Sequence, residues 1–222
     1  LPKLDSLIFK PFEENYKRPF AKHPFSQQKV INVLKGKGCT GGPDRPSASN
    51  NDVFSCPNVG KLSFRFFTTT GNQLRALTFE IVQRQLKSVG IELVPRLQVG
   101  GTLFGTTLPS GDWDLIMFTY VQEPESKILA NDTYACGGSQ NYGNYCNRKV
   151  SAMLNKAAIT LDQAQREKLL NDAEVIMAND VPSIPMYARP IYVIRANGVS
   201  GPVVNPTQEG SPWNVSTWQT AS

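Results

Sequence analysis

From Lys61 onward the chain settles into regular hydrophobic periods. KLSFRFFT, residues 61–68, alternates apolar and polar positions among aromatics, the pattern of a strand. Over residues 73–89, Leu74, Leu77 and Ile81 lie beside the row Phe79, Val82, Leu86 and Val89, which makes one broad apolar face at helical spacing. Thr70 or Asn72 in the turn TTTGN is placed to cap that helix, and Gly90 stops it. IELVPRL, residues 91–97, reads as a second strand, with Pro95 marking an edge or a bulge. GGTLFGTTL is a short helical or looped crossover. In GDWDLIMFTYVQEP, residues 111–124, Trp113 to Tyr120 is apolar at nearly every position, so this third strand is expected to be buried on both faces. It runs out abruptly into Gln122, Glu123 and Pro124. Strand, helix, strand, crossover, strand predicts an α/β fold with a parallel sheet and right-handed connections.

The flanks are less regular at the front and helical behind. Residues 1–25, rich in Pro, Phe and Lys, show no period and read as an extended segment laid over a surface. SQQKVINVL, residues 26–34, is a short helix with Ser26 as N-cap and Val30, Val33 and Leu34 on one face. Further on, Asn147 caps RKVSAMLNKA, where Val150, Met153, Leu154 and Ala157 align. Thr160 with Gln163 gives a capping-box pattern ahead of a longer helix whose buried stripe is Leu169, Leu170, Ala173, Ile176 and Met177. VPSIPMY ends that helix, PIYVIRAN (residues 190–197) reads as a strand, and the Pro/Gly-rich tail predicts few regular elements.

Composition narrows the class. At 222 residues, 40% hydrophobic and 18% charged, the chain can bury a real core. No run approaches the roughly 18 to 20 apolar residues of a membrane span. The opening LPKLDSLIF reads as mid-chain, so a piece of something longer is expected. The net charge of +5 is scattered; KPFEENYKRPFAKHP and KGKG lack the aromatic interleaving of a nucleic-acid groove, and a solvated basic surface is the reading. Four cysteines without a CxxC pair argue against zinc and for two disulfides. Of three possible connectivities, the local one, Cys39–Cys56 and Cys136–Cys146, clips two Gly/Ser/Asn-rich loops, at about 3 kcal/mol each, in an oxidising compartment.

Catalysis finds little to work with. His23 is the single histidine and no Gly-x-Ser-x-Gly elbow exists, so no enzyme activity, metal or cofactor is expected. Asp112 and Asp114 share a strand face, but at the start of the strand, whereas ligands of open parallel sheets bind beyond the carboxyl ends. Their expected work is hydrogen bonding at the turn. TTTGN, residues 68–72, lies between strand and helix, where Thr69 and Asn72 can meet a ligand at a helix N-terminus. The sequons at Asn131 and Asn214 are short enough to arise by chance.

Taken together, TTTGNQLRALTFEIVQRQLKSVGIELVPR, SGDWDLIMFTY and QNYGNYCNRKVSAMLNKAAITLDQAQREKLLNDAEVIMANDVPSIPMY resemble, in order and spacing, the carboxyl-terminal region of bacterial extracellular solute-binding proteins of the peptide- and nickel-binding family (family 5), receptors of ABC importers. The match runs from about residue 60 to 205 and more loosely over 26–38. The resemblance implies a type II periplasmic-binding-protein-like lobe, a mainly parallel sheet flanked by helices. Residues 1–193 would be the ligand-binding lobe, with a variable disulfide-clipped loop over 39–56, and residues 194–222 would return toward a first lobe absent from this chain. It implies a small solute or peptide as ligand, that first lobe and a membrane permease as partners, and an extracytoplasmic location with a lipoprotein tether on the full-length protein. Relatives receive the ligand amine on an Asp after an aromatic residue; here Tyr120 holds the aromatic position, and Gln122 and Glu123 follow. Tyr187, in the Pro-x-x-Pro-Met-Tyr segment, is a further ligand residue. Ser151 stands where the family often carries Asp. The rival reading is a secreted, disulfide-clipped structural or protein-interaction module, which predicts an antiparallel meander.

Overall fold

The computed structural model describes residues 3–121, 127, 129–205, 207 and 209–220. The chain divides into two compact units: residues 24–119, and residues 1–23 together with 120–222.

In the unit of residues 24–119, helix α1 (Gln27–Gly36) starts where the Ser26 side chain accepts the Lys29 N–H. Strand β1 (Ser63–Thr69) is followed by helix α2 (Gln73–Lys87), whose N-cap is Asn72, accepting the Arg75 N–H, and by strand β2 (Glu92–Gln98). A third strand, β3 (Leu115–Ile116), completes a parallel sheet of order β2-β1-β3. β1 and β2 pair along their whole length, Ser63 opposite Glu92 through Thr69 opposite Gln98, while Phe66 and Phe67 pair with Leu115 and Ile116. Pro95 is tolerated because β2 lies at the sheet edge. Alternation sends Phe66 toward α2, where its ring sits 5.2 Å from that of Phe79 in a core with Leu93. A second cluster, Ile31, Phe54, Leu62 and Val89, joins α1 to the Cys39–Cys56 loop. Each fully buried residue of this size contributes about 1.5–3 kcal/mol. Gly90 closes α2 at φ +82°, and a Cβ there would meet Phe54 Cδ2 and Pro43 Cδ at 2.7 Å.

The third strand departs from expectation. Residues 113–120 were expected to be a strand buried on both faces; the ladder covers two residues, and none of the eight is buried. Among the described residues β3 has β1 as its one neighbour, so half its backbone has no ladder to join. Its start is held by Arg65, which donates to both carboxylate oxygens of Asp114 at 3.2 Å and to Asp112 at 2.9 Å, while the Arg65 backbone N–H reaches Asp114 at 2.7 Å. The two aspartates therefore do the turn bonding expected of them. Arg65 holds the Asp114 carboxyl below its ordinary range.

In the other unit, helix α3 (Arg148–Ala158) is capped by Asn147, and helix α4 (Gln163–Asp180) by Asp162, which accepts the Gln165 N–H at 2.7 Å. The expected Thr160 box does not form, because the Thr160 hydroxyl donates back to the Lys156 carbonyl at 2.7 Å. Leu170, Ala173 and Met177 are buried as the stripe predicted, with Leu169 and Ile176 packed at its margin. Val150, Leu154 and Ala157 of α3 face them. The front of the chain is not laid over a surface: Ile8 and Phe9 enter this same core. Glu174 draws them in, accepting the Ser6 hydroxyl at 2.7 and 2.8 Å and the backbone N–H groups of Leu7 at 2.5 Å and Ile8 at 2.8 Å. Residues 190–196 form no strand, and Tyr192 and Ile194 are exposed. Their apolar pattern has no described strand to pair with. The tail makes a 3-10 helix, Ser211–Thr217, and a short antiparallel pairing of Val199–Ser200 with Gln219–Thr220.

Candidate functional site

The carboxyl end of β1 carries the first group of predicted residues. Thr68 is fully buried, and its hydroxyl donates to the Met117 carbonyl at 3.0 Å, which ties β1 to the chain leaving β3. Thr69 and Asn72 are brought together one turn apart, where β1 gives way to α2. Thr70 N–H donates to the Gln98 carbonyl at 2.8 Å and holds the turn against the end of β2. Asn72 Oδ1 is engaged by the Arg75 N–H at 3.0 Å, and Thr69 Oγ1 accepts from the Arg75 guanidinium. Arg75 is the residue that sequence reasoning passed over. The first turn of α2 contains no acidic residue, and a cation there runs against the helix dipole. That misfit was the signal. Thr69, Asn72 and Arg75 are thus bonded into one group at the N-terminus of α2.

The second group lies in the other unit. Tyr120 is 43% exposed, and burial of the rest of the ring pushes its phenol up to about 12, with Tyr142 adding to the shift. Tyr134, buried nearby, is raised by desolvation first and then by Tyr120. Tyr120, Tyr134 and Tyr142 are thus electrostatically coupled within this unit. Tyr142 was not singled out from the sequence; it belongs to the loop closed by Cys136–Cys146. The Asn141 side chain organises that loop, donating to the carbonyls of Ala135 at 2.8 Å and Tyr145 at 2.6 Å and accepting the Tyr145 N–H at 3.1 Å. Tyr187 sits in an isolated antiparallel bridge opposite Lys3, with the Leu4 N–H donating to the Met186 carbonyl at 3.1 Å. Gln122 and Glu123 lie outside the described residues.

Both expected disulfides, Cys39–Cys56 and Cys136–Cys146, are formed. Among the described residues no group of three or more His, Cys, Asp or Glu gathers, and no helix is long and apolar enough to cross a membrane. An open groove of about 630 Å³ runs along the first half of α4 beside Asn15 and Lys17. Its acidic residues are already engaged, Glu167 by Asn15 and Gln163 and Asp172 by Lys168, and no aromatic residue is among its described lining.

No family model matches the chain. Over 135 residues it is 29% identical to di/tripeptide-binding protein 4 of Pseudomonas aeruginosa, a match covering 59% of this chain and 25% of that protein. Its fold is similar to that of the periplasmic EDTA-binding protein EppA, with a TM-score of 0.82 at 19% identity, covering 100% of this chain and 40% of the other. It is also similar to the oligopeptide-binding protein AppA of Bacillus subtilis in complex with a nonapeptide, with a TM-score of 0.77 at 20% identity, covering 100% of this chain and 43% of that one. The chain thus spans about a quarter of this curated relative and about two-fifths of these structures. The mixed α/β lobe with a helix-flanked parallel sheet, and the likeness to peptide- and nickel-type solute-binding proteins of ABC importers, stand as the sequence implied.

Proposed function

We propose that this chain is the carboxyl-terminal ligand-binding lobe of an extracytoplasmic receptor for an ABC importer, that its ligand is a peptide or similar small solute, and that it binds without catalysing. The observation that carries this reading is the extent of the fold match. The whole chain superimposes on a part of two solute-binding proteins at TM-scores of 0.82 and 0.77. The di/tripeptide-binding relative makes peptides the first ligand class to test. The two disulfides fit an oxidising compartment.

In this reading residues 1–193 supply one wall of the cleft and residues 194–222 run toward the first lobe, which the rest of a longer, lipid-tethered protein provides. Two lobes close on the ligand by hinge motion, and a membrane permease reads the closed form. Tyr120 offers its exposed ring for stacking, Glu123 a carboxylate for a ligand amine, and Gln122 and Tyr187 polar contacts. Thr69 and Asn72, with Arg75, stand at the helix end that favours negative charge. Water leaves as the lobes close, which strengthens each of these contacts. The secreted-module alternative expects an antiparallel meander, and the parallel order of the three-stranded sheet speaks against it.

The test is isothermal titration of the complete receptor against di-, tri- and oligopeptide pools. Saturable binding that weakens at least tenfold in Tyr120→Ala supports the reading. No binding to any pool defeats the peptide claim, and a complete gene without a first lobe or export signal defeats the receptor claim. The isolated chain should bind no better than millimolar, since one lobe supplies part of the desolvated contact area that affinity needs.

A further inference from the structure

The two disulfides differ in setting. Cys39 is 5% exposed and sits in the core with Ile31 and Phe54. Cys136 and Cys146 are both exposed, so a solvent thiol can approach either sulfur. Two further features surround the exposed pair. The Asn141 side chain bridges Ala135 and Tyr145, the residues that immediately precede Cys136 and Cys146. It therefore closes the same loop without a covalent bond. Ser151, in the first turn of α3, accepts the Cys136 N–H at 2.9 Å, and its hydroxyl lies 3.1 Å from Cys136 Sγ and 3.0 Å from the Asn147 carbonyl. Cys146 has no such hydroxyl among its described contacts.

We propose that Cys136–Cys146 is an exchangeable disulfide, opened by external thiols through attack on Cys146, whereas Cys39–Cys56 is a fixed staple. The chemistry follows from the asymmetry. A thiolate attacks Cys146 Sγ, a mixed disulfide forms there, the Cys136–Cys146 bond breaks, and its electron pair leaves on Cys136 Sγ. The leaving group departs faster when its thiolate is stabilised. Ser151 has a single hydroxyl proton to share between a neutral carbonyl and the sulfur; once the sulfur is charged, the charge-assisted bond wins the proton. A second thiolate of the reductant then attacks the reductant's sulfur in the mixed disulfide, the bond to Cys146 breaks, and its electron pair leaves on Cys146 Sγ. The protein gains two electrons and two protons, and the thiol pair is oxidised to its disulfide. With the bond open, Asn141 keeps the two cysteines in register, so reclosure by an oxidant needs no search of the loop. The reducing partner is a small or protein-borne thiol, whatever ligand the protein binds.

The experiment treats the folded chain with reduced glutathione, blocks free thiols with N-ethylmaleimide at intervals, and maps adducts by peptide mass spectrometry. Expected are glutathione on Cys146, maleimide on Cys136, and Cys39–Cys56 intact while the other pair opens. Ser151→Ala should slow opening about tenfold and scatter the glutathione over both cysteines; Ser151→Thr, which keeps the hydroxyl, should restore rate and selectivity. Mere loosening of the loop would speed opening in Ser151→Ala, the opposite direction. Circular dichroism verifies that each variant is folded. Glutathione found chiefly on Cys136, or Cys39–Cys56 opening at the same rate, would overturn the proposal.

Discussion

Replacing Glu174 by alanine gives the sharpest test of how the front of the chain is held. The carboxylate is fully buried and gathers three donors from residues 168 to 166 positions away: the Ser6 hydroxyl and the Leu7 and Ile8 N–H groups. Truncation strands them unequally. Leu7 N–H loses its sole acceptor among its described contacts, at about 1–3 kcal/mol. Ile8 N–H retains a long bond to Ser6 Oγ at 3.3 Å, and Ser6 Oγ still accepts the Phe9 N–H at 2.9 Å, so these two lose about half that each. The deleted side chain also leaves a hole beneath Phe9 and Ile8. Against these losses stands the recovered cost of burying a charge. The net is about 3 kcal/mol, a roughly hundredfold rise in opening of residues 6–9. Glu174→Gln, which keeps one acceptor oxygen, should lose about half as much. Hydrogen exchange followed by mass spectrometry on peptides spanning residues 4–12 reads the effect directly. A change below tenfold at Leu7 and Ile8 in the alanine variant would refute the reasoning. Burial raises the Glu174 pKa, against the lowering pull of Ser6, Ile8, Leu7 and Lys10. Tyr134 is the other titratable group coupled to it. A raised carboxyl holds its proton more tightly in the folded chain. Its stabilising share is therefore full below the ordinary glutamate value and is lost as pH rises through the raised one. Protection of residues 6–9 should decline from mildly acidic to neutral pH, and Glu174→Gln should flatten that slope.

Asn147 caps α3 and also donates to Asp180 Oδ2 at 2.8 Å. Asn147→Ala should cost about 1–2 kcal/mol in urea unfolding. Asn147→Asp, ordinarily an equal cap, should do no better at pH 7, because it sets two carboxylates face to face, and should recover in mild acid. Val181 closes α4 at φ +53°, a left-handed conformation that a β-branched residue resists; Val181→Gly should therefore raise the melting temperature, by roughly 1 kcal/mol of relieved strain. At Gly138 a Cβ would stand 2.3 Å from the Asp132 carbonyl oxygen, while at Gly137 it would meet open space at φ +73°. Gly138→Ala should cost more than about 2 kcal/mol and Gly137→Ala about 1, read by the same unfolding assay.

What the sequence disclosed was local. Ser26 and Asn147 cap their helices as read, and of the two candidates Thr70 and Asn72 the cap of α2 is Asn72, because a cap is settled by a side chain and an N–H two or three residues away. At α4 two good cap residues stood two positions apart, and the choice fell to Asp162 once Thr160 bonded backward to Lys156. β1 and β2 were legible because each carries its own period; the extent of β3 was not, since it depends on how many neighbours a strand finds. Residues 1–25 were misjudged because their burial is decided by a glutamate far along the chain, and a charge within an apolar stripe gives no sign of turning inward. At the candidate site, Thr69 and Asn72 could be found from the strand-to-helix turn, and Arg75 could have been found from its unfavourable place near a positive helix end. Tyr142 could not, because its nearness to Tyr120 is a product of the folded loop.

One unit of this molecule joins residues 1–23 to residues 120–222, two stretches that are synthesised well apart in time. At about 5–20 residues per second, Ser6, Ile8 and Phe9 wait on the order of ten to thirty seconds for Glu174 to be translated. Residues 24–119 form a compact unit of their own and are complete well before Glu174 is made. The nascent chain therefore carries an apolar stretch around residues 7–9 before its buried partners exist, and that interval is when a holding chaperone would be of use to it.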